Sequence, residues 1–118
     1  MMRYKDPREL EVRYVLPAIR KELAVALAKK GCSQSNIAKM LGLTTPAVSN
    51  YVGKKRGLGV HFEKEMLKEI KLAANRLEKG SSLLEETQNI LHSFRKKRLV
   101  CILCREHLGV DEKCAACL

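Results

Sequence analysis

The chain has 118 residues, a formal charge of +10 and a pI near 9.6. Aromatic residues make up 4% of it and tryptophan is absent, while Leu, Ala, Lys and Glu are plentiful and strand-type alternation is scarce. That balance excludes a β-rich fold, predicts an all-α body of one ordinary domain plus a small appendage, and points to a polyanionic partner. The charge is uneven: residues 1–60 hold 12 Lys/Arg against 4 Asp/Glu, and residues 61–118 hold 11 against 9. No run of about 18 apolar residues is present, so no transmembrane helix is expected. The opening MMRYKDPRELEVRY is too polar for a signal peptide, so a cytoplasmic chain with reduced thiols is expected.

At the start, Asp6-Pro7 reads as an N-cap followed by proline in the first helical turn. A short helix to about Tyr14 is predicted, with Leu10 and Tyr14 on one side. Pro17 should interrupt it and begin a second helix, PAIRKELAVALAKKG, ending at Gly31. Ile19, Leu23, Ala26 and Leu27 form its apolar stripe. Arg20, Lys21, Lys29 and Lys30 read as mostly solvated, a few of them near a polyanion.

Gln34 to Tyr51 is the centre of the chain. Ser33 is placed to cap a helix from Gln34 to Leu41, and Gly42 follows where a left-handed backbone is free of cost. Thr44 caps a second helix with Pro46 in its first turn. Ile37, Leu41, Leu43, Val48 and Tyr51 share one buried face, and Ala38 is small where the helices cross. The opposite face offers Thr45, Pro46, Ala47, Ser49 and Asn50, short and uncharged side chains suited to base edges. This is the pattern of a helix-turn-helix whose second helix enters the major groove, and it resembles the Cro/repressor-like class. Directly after it, Gly53-Lys54-Lys55-Arg56-Gly57 is the best phosphate-contact candidate, adding salt-dependent affinity without reading sequence.

Two longer amphipathic helices are predicted next. One runs from about His61 to Lys79 with Phe62, Met66, Ile70, Ala73, Ala74 and Leu77 inward, and ends at Gly80. Ser82 and Glu85 form a capping box for the other, about Leu83 to Arg98, with Leu83, Leu84, Thr87, Ile90, Leu91 and Phe94 as its stripe. The hairpin either completes the core or pairs across a two-fold axis; a homodimer is favoured, because one reader helix covers one half-site. Arg95-Lys96-Lys97-Arg98 either reaches DNA or complements a helix C-terminus. His61 and His92 receive no role.

The last segment carries Cys101, Cys104, Cys114 and Cys117, spaced C-x2-C-x9-C-x2-C. Two thiol pairs at reducing potential signal a metal. Zinc and an iron–sulfur cluster both suit four thiolates, and the apolar Ile102, Leu103, Ala115 and Ala116 inside the pairs keep a cluster open beside zinc; disulfides are a third option, disfavoured by a reducing compartment. His107 can stand in for a thiolate. Cys32 lies apart and reads as a small buried residue. A short segment of this kind would draw much of its folding free energy from the metal.

Together the chain resembles small archaeal transcriptional regulators that join an N-terminal helix-turn-helix to a C-terminal cysteine-rich motif. The residues that carry the resemblance are Tyr14-Val15-Leu16-Pro17-Ala18-Ile19-Arg20, Ile37 to Thr44, Ala47-Val48-Ser49-Asn50-Tyr51 and Lys55-Arg56-Gly57. A similar helix-turn-helix precedes the ligand domain of archaeal thiamine-pathway repressors; no segment of that size follows Arg98. Many relatives carry Gln where Thr45 and Pro46 stand. The expected organisation is a DNA-binding domain at 1–60, a helical hairpin at 61–98 and a four-cysteine segment at 99–118. The expected function is a dimeric, sequence-specific regulator of transcription, with no small-molecule ligand. Thr44, Thr45, Pro46, Ser49 and Asn50, with Lys54, Lys55 and Arg56, are the expected double-stranded DNA contacts. Two alternatives are a redox or metal-handling protein and a helical adaptor. Catalysis is not expected: no paired carboxylates, nucleophile–base pair or phosphate loop stands out.

Overall fold

The computed structural model describes residues 6–53, 60–110 and 114; their regular structure is all helical, with no strand among them. Helix α1 (Pro7–Leu10) starts where expected: the Asp6 carboxylate accepts from the Arg8 amide at 2.8 Å, with Pro7 at the first helical position. The predicted break before Pro17 does not occur. A π-helical segment, Glu11–Val15, joins α1 directly to α2 (Leu16–Lys29). The Leu16 amide bonds back to the Glu11 carbonyl, one residue further than in an α-helix. Proline lacks the donor for the carbonyl four residues back and crowds it; the wider turn takes up that defect at the join, and the rod continues to Lys29.

Helix α2 is central rather than one-sided. Between Leu16 and Ala28 only Arg20 is exposed, so the stripe of Ile19, Leu23 and Leu27 is one part of a helix covered nearly all round. That placement buries Lys21, read from sequence as solvated, to 8% exposure. Lys30 is also engaged, pairing with Glu78 at 3.4 Å and donating to the Asn75 side chain.

Helices α3 (Gln34–Leu41) and α4 (Thr45–Gly53) follow and pack on each other and on α2. Helix α5 (Lys64–Glu78) begins three residues later than predicted. Phe62, ahead of it, is buried and meets Phe94 edge to face at 5.9 Å, which holds this stretch against the core and outside the helix. Gly80, at φ +100°, ends the turn after α5, and Ser82 caps α6 (Leu83–Lys96) by accepting from the Glu85 amide at 3.3 Å. Leu84, placed in the apolar stripe by sequence, is 71% exposed; Glu86 occupies the inner face instead, bonded to Arg76 and Ser81. Helix α6 stops two residues early because Arg98 takes φ +60° and turns the chain into α7 (Val100–His107).

The hairpin of α5 and α6 completes the core. Met66, Ile70, Ala73, Ala74 and Leu77 are each no more than 4% exposed in the single chain, packed chiefly against α2. The face that the sequence offered to a second copy is therefore filled from within. Among the described residues no helix is long and apolar enough to cross a membrane.

Candidate nucleic-acid interface

Three local devices aim α4 outward. Ser33 accepts from the Asn36 amide at 3.1 Å and starts α3. Gly42, at φ +62°, lets the amides of Gly42 and Leu43 both bond to the Ala38 carbonyl, so the chain reverses within three residues. The Thr44 hydroxyl then accepts from the Ala47 amide at 3.2 Å and starts α4. Ile37, Leu41 and Val48 are buried and Leu43 and Tyr51 half-buried, which locks the inner face of the pair.

On the other face, Thr44, Thr45, Pro46, Ser49 and Asn50 are all exposed. None carries a charge. This uncharged strip lies within a stretch of opposite character to the rest of the chain: from Leu23 to Phe62 there are six Lys/Arg and no Asp or Glu. Acidic side chains near α4 would repel a phosphate backbone; the sequence places none within that stretch. Lys54, Lys55 and Arg56 belong to it but lie outside the described residues. Lys39 on α3 and Lys29 at the end of α2 are exposed cations of the same stretch.

The basic run at 95–98 is mostly committed elsewhere. Arg95 grips Glu11 with two hydrogen bonds, at 2.7 and 2.9 Å, and Glu11 is 5% exposed. Lys97 bonds to Glu65 and Glu63 on the entry to α5. The Lys97 contact holds the Glu65 carboxyl below its ordinary range, and the same bond raises Lys97. Arg98 donates to the Cys114 carbonyl at 3.0 Å. The remaining cation, Lys96, is exposed.

The first part of the cysteine segment, Val100–His107, is the helix α7. Cys101 and Cys104 sit one turn apart on α7, Cys101 half-buried and Cys104 5% exposed. Residues three apart share a helix face, so one metal ion can take both thiolates. The Arg98 bond draws residue 114 back toward the start of α7. Cys117 lies outside the described residues. Among the described residues no three His, Cys, Asp or Glu side chains gather as a ligand group, and no described cysteine is in a disulfide. The donor set fits a thiophilic metal in chemistry; the three described thiols do not by themselves converge. His107, an alternative ligand by sequence, ends α7 with its ring stacked on Tyr14 at 4.7 Å and 19°. Cys32 donates to Glu78 at 3.2 Å; burial and then that bond push its thiol up from the ordinary value.

The sequence did not reveal Glu11, Tyr14 and Glu86 as the side chains that fasten the helices together. Glu11 and Tyr14 meet partners far away in the chain, Arg95 being 84 positions from Glu11, while Glu86 reaches Arg76 and Ser81 across the α5–α6 turn, 10 and 5 positions back. No protein-family model, curated protein or solved structure matches this chain.

Proposed function

We propose that the chain is a sequence-specific, DNA-binding regulator of transcription that acts as a dimer. In this reading α3, the Gly42 turn and α4 form a helix-turn-helix, and α4 lies in the major groove. The observation that carries it is the outward strip of α4: short, uncharged side chains, all exposed, inside a 40-residue stretch with six cations and no acid. Thr45, Pro46, Ser49 and Asn50 meet base edges, Asn50 able to pair bidentately with adenine. The amino end of α4 at Thr44, with Lys54, Lys55 and Arg56, holds phosphates and fixes the register. A second copy, joined through a surface other than the buried inner faces of α5 and α6, supplies the other half-site. Cys101, Cys104, Cys114 and Cys117 would hold zinc or an iron–sulfur cluster. When bound, that group supplies folding free energy to the C-terminal segment.

The test is selection from random duplexes, followed by affinity measurements across salt. Asn50→Ala should lose about 1–3 kcal/mol of discrimination at one base pair while random-sequence affinity holds. Lys55→Ala should weaken all duplexes alike and flatten the log–log salt slope by about 0.9. Selection that enriches no sequence, or equal losses for Asn50→Ala on selected and random DNA, would remove α4 from the reader role. Anaerobic purification with metal analysis and an absorption spectrum separates zinc from an iron–sulfur cluster.

A further inference from the structure

One rod connects the cysteine helix to the candidate reader. Its first part, α1, packs on α7, which bears Cys101 and Cys104; its last part, α2, packs on α3 and α4. The α1–α7 contact is well buried: Leu10 and Val15 are sealed on the rod, and Val100, Leu103, Cys104 and Leu108 are at most 8% exposed. Tyr14 and His107 stack at this junction, and Arg13 lies over the Tyr14 ring at 5.6 Å from its centroid.

The joint within the rod is the π segment, Glu11–Val15. A π turn holds one residue more than an α turn. Converting one to the other would rotate the preceding helix by roughly 100° and slide it by about 1.5 Å, a change that Pro17 opposes by disfavouring the α form. The Arg95 fork fixes its first residue to α6. The joint is thus tied to α6 through Glu11 and meets α7 through the Tyr14 ring.

We propose that docking of α7 on the α1–π segment sets the position in which α2 holds α4, so that a change of state at the cysteine helix is passed to the presented face. Tyr14 and His107 are the positioning residues of this coupling. Its regulatory consequence rests on the DNA-binding reading above; the mechanical coupling does not.

The experiment is hydrogen exchange on the full chain, read by mass spectrometry for peptides covering 7–19, 45–53 and 100–108. His107→Ala should speed exchange in all three by about tenfold. His107→Phe keeps a ring against Tyr14 and should return all three toward wild type. Leu77→Ala, a core change on α5 away from α7, is the control and should not single out 45–53. Faster exchange confined to 100–108 overturns the coupling, as does an equal response of 45–53 to Leu77→Ala. Should His107→Ala fail to fold, Leu108→Ala is read against the same control. Affinity for a selected duplex is measured alongside: coupled exchange in a chain that binds no duplex selectively sinks the DNA reading and leaves the coupling standing.

Discussion

Arg95 offers a sharp test, because its place in the sequence and its place in the fold assign it opposite jobs. Its guanidinium holds Glu11 through two bonds, and Glu11 is 5% exposed while the Arg95 side chain is 48% exposed. The two ends of this pair should therefore respond unequally to truncation. In Arg95→Leu the carboxylate stays buried without its cation, which costs about 3 kcal/mol, the low end for breaking a buried pair because Arg95 is half in water. In Glu11→Leu an apolar side chain fills the buried site and Arg95 turns into solvent, a change of about 1 kcal/mol or less. At about 3–5 °C per kcal/mol for a chain of this size, Arg95→Leu should melt about 10–15 °C lower and Glu11→Leu within about 5 °C of wild type. Thermal melts by circular dichroism at neutral pH measure both. If the chain binds DNA as proposed, Arg95→Leu below its melting temperature should keep the wild-type salt slope, since the guanidinium is paired with Glu11. Equal melting shifts would refute the buried-carboxylate reasoning. A salt slope flattened by about 0.9 would show instead that Arg95 is a phosphate contact.

Val48→Ala removes two methyl groups from a sealed site under α4, so a loss of about 2–3 kcal/mol in urea unfolding is expected. Gly42→Ala adds no clash but forces a side chain to φ +62°, and should cost about 1–2 kcal/mol by the same assay. Glu86 is held below the ordinary carboxyl value of 4.5 chiefly by the Arg76 hydrogen bond, against an opposing effect of burial, with Ser81 adding to the lowering. A depressed carboxyl stabilises the fold above its unfolded pKa, and that contribution is lost as pH falls through the lower folded value. Arg76→Leu should therefore move the acid-unfolding midpoint to higher pH, followed by circular dichroism from neutral pH downward. Cys32, raised by burial and by Glu78, should alkylate with iodoacetamide more slowly than an unstructured thiol near pH 8, as read by peptide mass spectrometry.

Features that act within a few residues were legible in the sequence. The caps at Asp6, Ser33, Thr44 and Ser82 and the left-handed glycines at 42 and 80 each satisfy groups within four positions of themselves. So were the inward faces of α5 and α6, apart from Leu84, which yields the inside to Glu86. Long-range relations were not. The stripe of α2 gives no sign that the helix is enclosed on nearly every side, because Ala and Leu fit a half-covered helix as well as a covered one. Pro17 read as a break because the rule for proline assumes an α-helix; a π turn satisfies the backbone another way. Arg95 was open between a DNA contact and a charge at a helix end, and its acid, 84 residues upstream, was visible to neither reading.

The cysteine segment shows why spacing alone could not describe its own fold. Two residues between cysteines is the gap of a metal-binding knuckle, and it is equally the gap that stacks side chains one turn apart on a helix. In α7 it is the second: Leu103, Cys104 and Leu108 face the core while Cys101 stays half-exposed. These alternatives do not exclude each other, since a helix can bring two thiolates to one ion. What joins them is the return of the chain at Cys114. The bond from Arg98 to the Cys114 carbonyl brings that return to the start of α7, where the Cys101 amide also bonds to the Arg98 carbonyl. Arg98, left-handed at φ +60°, thus ends α6, begins α7 and meets residue 114. If a metal closes the segment, Arg98→Ala should weaken its retention even though no Arg98 atom is a ligand. Zinc competition against a chromogenic chelator measures this, and an unchanged affinity would separate the helix turn at Arg98 from the metal site.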